Sequence, residues 1–241
     1  MSKPFPSFVF LCGLLSDARV WSPVTETLPG RIFAFPGFDS LAAMAESLLA
    51  ATTGPLVLVG HSMGGRVALE AVRQAPGRIA GLVLANTGVH PPAENEGAGR
   101  QRLIDIARTQ GMAALAAAWL PPMMGAAPAR VEALMPGLRA MVEAYPLDAY
   151  LGQIAALLDR PDAGPILAGY GGPVLLLSAD RDRWSPPAQH AAMHALAPQA
   201  MLRIVDGAGH MLPVEAPEAT AAAIADWAAA HGLIDPGAAP A

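Results

Sequence analysis

Cysteine is almost missing from this chain. Cys12 stands alone in 241 residues, which excludes an internal disulfide framework and leaves the redox compartment open. Charge is scarce too: 15% of residues are Asp, Glu, Lys or Arg, against about a quarter in an ordinary soluble domain. The formal net charge is −5, with no basic cluster. Such a chain has nothing to exchange for the counterions of a nucleic acid or an anionic membrane, so neither is expected as a partner. No apolar run reaches bilayer length; "MAALAAAWLPPMM" (112–124) is too short and carries two prolines. The N-terminal "MSKPFPSFVFLCGLLSDAR" has a lysine and an apolar stretch, but prolines precede that stretch and no A-x-A site follows it, so Phe8–Cys12 reads as a strand rather than a signal peptide. A soluble, cytoplasmic protein is expected. The phosphate-cradling Gly-x-Gly-x-x-Gly and Walker patterns are absent, as is any His/Cys/Asp/Glu group at ligand spacing, so neither a cofactor nor a metal is expected.

What the chain has instead is apolar mass: 53% of residues are hydrophobic, ample for a sizeable core. Six short runs, "SFVFLC", "RIFAF", "PLVLVG", "GLVLAN", "PVLLLS" and "AMLRIV", are bounded by Gly or Pro and do not alternate. That pattern suits strands of a parallel sheet buried on both faces. Helical patterns lie between several of them. "SLAAMAESLLAAT" puts Leu41, Met44, Leu48 and Leu49 on one face, and "GGRVALEAVRQ" does so less cleanly with Val67, Leu69, Ala71 and Val72. Alternating strands and helices predict an α/β fold, a doubly wound and mostly parallel sheet of about six strands without an N-terminal hairpin. From about Val89 to Gly169 only helical stretches appear. This reads as a helical cap, 89–169, inserted after the fourth strand into a core made of 1–88 and 170–241. The tail "IDPGAAPA" is expected to fray.

The stretch "LVLVGHSMGGRVALEAV" places Ser62 between Gly60 and Gly64, after an apolar run and before a helix. With 24 glycines and nine serines in the chain, a bare G-x-S-x-G is a weak signal; the strand before it and the helix after it give it meaning. A turn this sharp brings the flanking glycines close together and lifts the serine onto a strained, exposed elbow. The helix beginning near Met63 aims N–H groups at the same point, which suits a developing oxyanion. A glycine-rich joint with no chemistry is the bland alternative.

A serine hydroxyl needs a base. His61, inside the motif, is expected to point away from the hydroxyl, and His90, His190, His194 and His231 read as core or solvated residues. His210, in "VDGAGHMLPVEAPE" after the last strand, lies on a loop at the sheet's C-terminal edge, where such loops converge. The base needs a carboxylate to fix its tautomer, and "LLLSADRDRWSPP" offers Asp180 and Asp182.

Together, "GHSMGG", "SADRDRWSPP" and "GAGHMLPVEAPE" resemble the α/β-hydrolase superfamily, near its small single-domain esterases. The likeness spans nearly the whole chain and its motifs are specific to fold and triad, not to substrate. It implies Ser62, Asp182 and His210 as the catalytic set, since the family's acid is commonly followed four residues on by proline and Pro186 meets Asp182 that way. It also implies Leu14 as the second oxyanion donor beside Met63. Here Cys12-Gly13-Leu14 stands where the family usually has His-Gly-x, and the backbone N–H of Leu14 can still serve. Cys12 itself has no evident base and is a poor nucleophile.

The leading expectation is a serine hydrolase acting on a carboxylic ester or thioester through an acyl-enzyme. The resemblance also extends to menaquinone-pathway lyases and carbon–carbon bond hydrolases that use the same triad, and to non-catalytic small-molecule receptors. The segment 89–169 is rich in Ala, Leu, Met and Pro with few arginines (Arg100, Arg102, Arg108, Arg130 and Arg139 among them). Trp119, Met123, Met124 and Trp184, with Met112 and Leu120, are therefore expected to roof an apolar pocket that prefers neutral acyl groups. The oligomeric state is left open.

Overall fold

The computed structural model describes residues 5–234; the tail expected to fray lies beyond them except for Ile234. In chain order the elements are β1 (Ser7–Leu11), α1 (Ala18–Thr25), β2 (Arg31–Phe33), α2 (Leu41–Ala50), β3 (Leu56–His61), α3 (Met63–Gln74) and β4 (Ile79–Ala85). Five helices follow without a strand: α4 (Glu96–Gln110), α5 (Met112–Trp119), α6 (Pro128–Glu143), α7 (Leu147–Leu158) and α8 (Gly164–Gly169). The chain then returns to β5 (Val174–Ala179), α9 (Pro187–Leu196), β6 (Met201–Val205), α10 (Leu212–Glu215) and α11 (Pro217–Ala230). Among the described residues no helix is long and apolar enough to cross a membrane.

One sheet carries all six strands, every pair parallel, in the order β2-β1-β3-β4-β5-β6. Side chains alternate between its two faces, and both faces are dry. Val9, Leu58, Leu82 and Leu176 point to one side, against Met44, Val67 and Met193. Phe10, Val59, Val83 and Leu177 point to the other, against Trp21, Ile224 and Trp227. Covering both faces is what lets β3, β4 and β5 read as continuous apolar runs.

The two edges depart from that pattern. β6 pairs only with β5, and its Arg203 and Ile204 are exposed, Ile204 by 49%; Arg31 opens the other edge strand to solvent. Charges at these positions blunt the unpaired edges. The face of α2 falls as expected except that Leu49 is only partly buried and Ala45 takes its place in the core. The pattern of α3 is unclean because nearly the whole helix is buried, with α2 and α8 packed against it. Within the helical segment α4 packs on α5 and α7, and α5 on α6, whereas α8 lies against α3 and α9 beside the sheet.

Candidate active site

The chain turns from β3 into α3 at Ser62, whose φ of 54° and ψ of −118° lie where L-residues are rarely found. Neighbours hold it there. Ser62 N–H donates to the Ala85 carbonyl (3.0 Å), and the Ser62 carbonyl accepts from Gly65 N–H (3.0 Å) and Thr87 Oγ1 (2.6 Å). A Cβ on Gly60 would come within 2.5 Å of the Gly64 carbonyl oxygen, so that glycine is required by the turn itself. The demand on Gly64 differs from the expectation: its missing Cβ would strike the Leu11 carbonyl of β1, not β3.

Ser62 Oγ lies 3.0 Å from His210 Nε2, and His210 Nδ1 lies 2.8 Å from Asp182 Oδ2. The second oxygen of Asp182 accepts from the N–H groups of Trp184 (2.7 Å) and Ser185 (3.0 Å). Burial would raise the Asp182 carboxyl, but the hydrogen bond and charge of His210 and the two backbone donors outweigh it and hold the group below the ordinary range. An anionic Asp182 requires the proton of the imidazole on Nδ1, which leaves Nε2 free to accept from the serine. Asp180 sits apart from this chain of contacts. Its Oδ1 accepts from Gly207 N–H (2.7 Å) and Ala208 N–H (3.3 Å), so it braces the approach to His210 rather than touching the ring.

The backbone of His210 is fixed as firmly. Its N–H donates to the Met123 carbonyl (2.7 Å), and its carbonyl accepts from His61 Nε2 (2.7 Å) and Asn86 Nδ2 (3.0 Å). Complete burial, reinforced by the nearby His210, pushes the His61 pKa down to about 3, so this ring stays neutral and its Nε2 carries the proton given to the His210 carbonyl. His61 thus points away from the serine hydroxyl, as the motif suggested, and acts on His210 from behind. His190 is buried on α9, and His90 is exposed, as expected of a solvated residue, though it also lines the cavity described next.

A cavity of about 380 Å³ opens over Ser62 and His210. Leu14 and Met63 line it, and neither backbone N–H has an acceptor among the described residues. Of the residues expected to contact substrate, Trp119, Met123 and Trp184 line the cavity. Met124 does not. It follows the tight turn Pro121–Met123 and faces a separate surface groove with Met135 and Pro136. Cys12 is buried, its thiol raised by burial and by Asp17, and its Sγ is taken up by the Asp17 carbonyl (3.3 Å).

The lining of the cavity is largely apolar but also carries charge that the expectation of an apolar pocket left out. Arg66, Arg100 and Arg160 face it with one carboxylate, Glu96. Arg160 is consumed by structure: it bonds Glu96, and its remaining N–H groups reach the carbonyls of His90, Pro91 and Leu157. Burial would raise Glu96, but Arg160 and Arg100 outweigh it and bring it down to about 2. Arg100 spends two of its nitrogens on Glu96, and Arg66 spends one on the His90 carbonyl (2.9 Å). Both therefore keep donors free. Burial and the field of Arg160 press the Arg66 pKa down to about 9, which leaves it cationic at neutral pH.

Residues 8–223 match the model of the alpha/beta hydrolase family. Over 228 residues the chain is 28% identical to the 2-succinyl-6-hydroxy-2,4-cyclohexadiene-1-carboxylate synthase of Salmonella heidelberg (strain SL476), covering 85% of this chain and 86% of that one. A thermophilic esterase from Thermogutta terrifontis superposes with a TM-score of 0.84 at 26% identity, over 95% of this chain and 90% of that one. The enol-lactonase from Burkholderia xenovorans LB400 shares the fold at a TM-score of 0.83 and 21% identity, over 94% and 92%. With the family model spanning nine-tenths of its length, this chain belongs to the alpha/beta hydrolase family.

Proposed function

We propose that the protein is a serine hydrolase that cleaves a carboxylic ester or thioester through an acyl-enzyme on Ser62, under a roof formed by the helices of 89–169. The observation that carries this reading is the run of contacts from Ser62 Oγ to His210 to Asp182, at 3.0 and 2.8 Å, at the floor of a cavity. As Ser62 Oγ attacks the acyl carbon, its proton passes to His210 Nε2, and Asp182 stabilises the imidazolium. The N–H groups of Leu14 and Met63 hold the negative oxygen of the tetrahedral intermediate. Collapse expels the leaving group, which takes the proton from Nε2. Water then attacks the acyl-enzyme with His210 again as base, and releases the acid.

The charged wall refines the substrate. Arg66 and Arg100 have unspent donors, and guanidiniums bind carboxylates through charge-assisted hydrogen bonds. An acyl or leaving group that reaches them with a carboxylate, and lays its apolar part on Trp119 and Met123, fits better than a neutral one.

A second reading keeps the same three residues but uses Ser62 and His210 as a base in an elimination. It is favoured by the arginines together with the 28% identity to a synthase whose product name contains a carboxylate. The two readings part on ester turnover. The test is a chain-length series of 4-nitrophenyl esters and thioesters beside one dicarboxylate half-ester. Hydrolysis that falls at least a thousandfold in Ser62→Ala, with the half-ester ahead, is the expected result. A wild-type protein that hydrolyses none of them rejects the hydrolase reading and leaves the elimination.

A further inference from the structure

Glu215, the last residue of α10, is 7% exposed, and no Arg, Lys or His among the described residues forms an ion pair with it. Four backbone N–H groups satisfy it instead. Its Oε1 accepts from Gly209 (3.1 Å) and Met211 (3.1 Å), the two neighbours of His210 in the chain. Its Oε2 accepts from Gly125 (2.7 Å) and Ala126 (2.6 Å), in the loop between the Pro121–Met123 turn and α6. That loop returns the contact: the Met123 carbonyl accepts from His210 N–H (2.7 Å). The two loops touch backbone to backbone, and a Cβ on Gly125 would come within 2.5 Å of Gly209 N. So all three N–H groups of residues 209–211 are fixed either by Glu215 or by the loop that Glu215 holds. Met123, at the start of that loop, also lines the cavity.

We propose that Glu215 is a positioning residue that ties His210 to the Met123–Ala126 wall of the cavity, so that base and wall form one rigid body. The inference rests on His210 acting as the base. A carboxylate is the group this joint needs, because each of its oxygens must face two donors at once. Glu215→Gln is isosteric but turns an NH₂ group toward one pair of N–H donors, so one loop must let go. A reacting geometry displaced by about 1 Å costs up to a hundredfold in rate.

Three measurements test this on the full chain as Glu215→Gln and Glu215→Asp. The first is kcat and KM on the half-ester. The second is the rate of covalent inactivation by diethyl 4-nitrophenyl phosphate, a small reagent that reports on the serine and its base. The third is amide hydrogen exchange. Expected for Gln is a ten- to hundredfold loss in kcat and in the inactivation rate with KM within threefold, and faster exchange confined to peptides covering 123–126 and 206–212. Asp keeps the charge but is one methylene short of spanning both loops, and is expected to show a smaller loss of the same kind; should Gln fail to fold, Asp decides. Full kcat, a loss carried by KM alone, or unchanged exchange in both peptides would overturn the inference. A wild-type protein inert to esters and to the phosphate reagent would instead refute the hydrolase reading, and the exchange result would still judge the joint.

Discussion

Replacing Asp182 by Asn changes one heavy atom, an oxygen to an NH₂ nitrogen, and, by the geometry above, reverses a hydrogen bond at the other side of the imidazole. One oxygen of Asp182 already accepts from the N–H groups of Trp184 and Ser185. In the Asn variant the amide oxygen must stay with those two donors, because an NH₂ there would face N–H groups. The amide nitrogen is then forced toward His210 Nδ1, where a carboxylate oxygen lies 2.8 Å away in the native protein. A donor at that place demands a bare Nδ1, so the ring proton moves to Nε2 and points at Ser62 Oγ. The serine proton has no acceptor left. The expected loss in kcat is roughly ten-thousandfold, equal to about 5 kcal/mol of transition-state stabilisation at 1.36 kcal/mol per decade. KM should change little, since Asp182 does not line the cavity. Asp180→Asn supplies the contrast: one oxygen of Asp180 takes both Gly207 and Ala208 N–H groups, an amide oxygen can do the same, and less than a threefold loss is expected. Steady-state kinetics of both variants on one ester, with circular dichroism to confirm folding, decides the matter. A D182N loss under a hundredfold, or a larger loss in D180N, would refute the assignment of the acid.

Two further outcomes follow from the charged groups. Arg66→Gln should lower kcat/KM for the half-ester by roughly ten- to a hundredfold, as for losing a hydrogen bond between charged groups, while a neutral ester of equal length changes by less than threefold; equal losses on both would show that Arg66 supports structure only. His61 has a folded pKa near 3 against 6.5 when free, so below pH 6.5 the unfolded chain binds a proton that the folded one refuses. Stability from this group is therefore complete above about pH 6.5 and declines as pH falls toward 3, by at most about 1.4 kcal/mol per unit. Urea unfolding at several pH values should show a shallower decline in His61→Leu, and an identical slope would mean the buried ring is not what titrates.

Much of this molecule is written locally. The four inner strands β1, β3, β4 and β5 are legible because a strand dry on both faces needs an unbroken apolar run, and the half-buried edge strands β2 and β6 show shorter apolar runs with a charge in each. Ser62, Asp182 and His210 are legible because each stands just past the end of a strand, where the sheet delivers its loops to one edge. What the sequence hid are relations between distant segments. Arg66 stands four residues after Ser62 in plain view, yet on a helical pattern an arginine reads as a solvated face, and nothing local marks that this partly exposed one lines the cavity. Arg160 meets Glu96 across 64 residues, a pairing no periodicity encodes. Met123 and Met124 are chemically alike and adjacent, and a single tight turn sends one into the cavity and the other into a separate groove.

Met63 and Arg66 belong to the same helix, the first at its N-terminus and the second less than a turn further on. At 1.5 Å per residue, their Cα atoms are separated by about 4.5 Å along the axis. The donor proposed for the oxyanion and the free guanidinium proposed for the carboxylate therefore sit on one rigid rod. Helix pitch sets where the Arg66 side chain begins, and its hydrogen bond to the His90 carbonyl (2.9 Å) limits where its guanidinium can go. If the proposed carboxylate substrate is right, a spacer too short should leave its carboxylate unpaired and one too long should drive the carbonyl off the elbow. Related chains with a longer or shorter preferred spacer would have to relocate the cation to another turn of that helix or to another element, because the rod itself does not stretch.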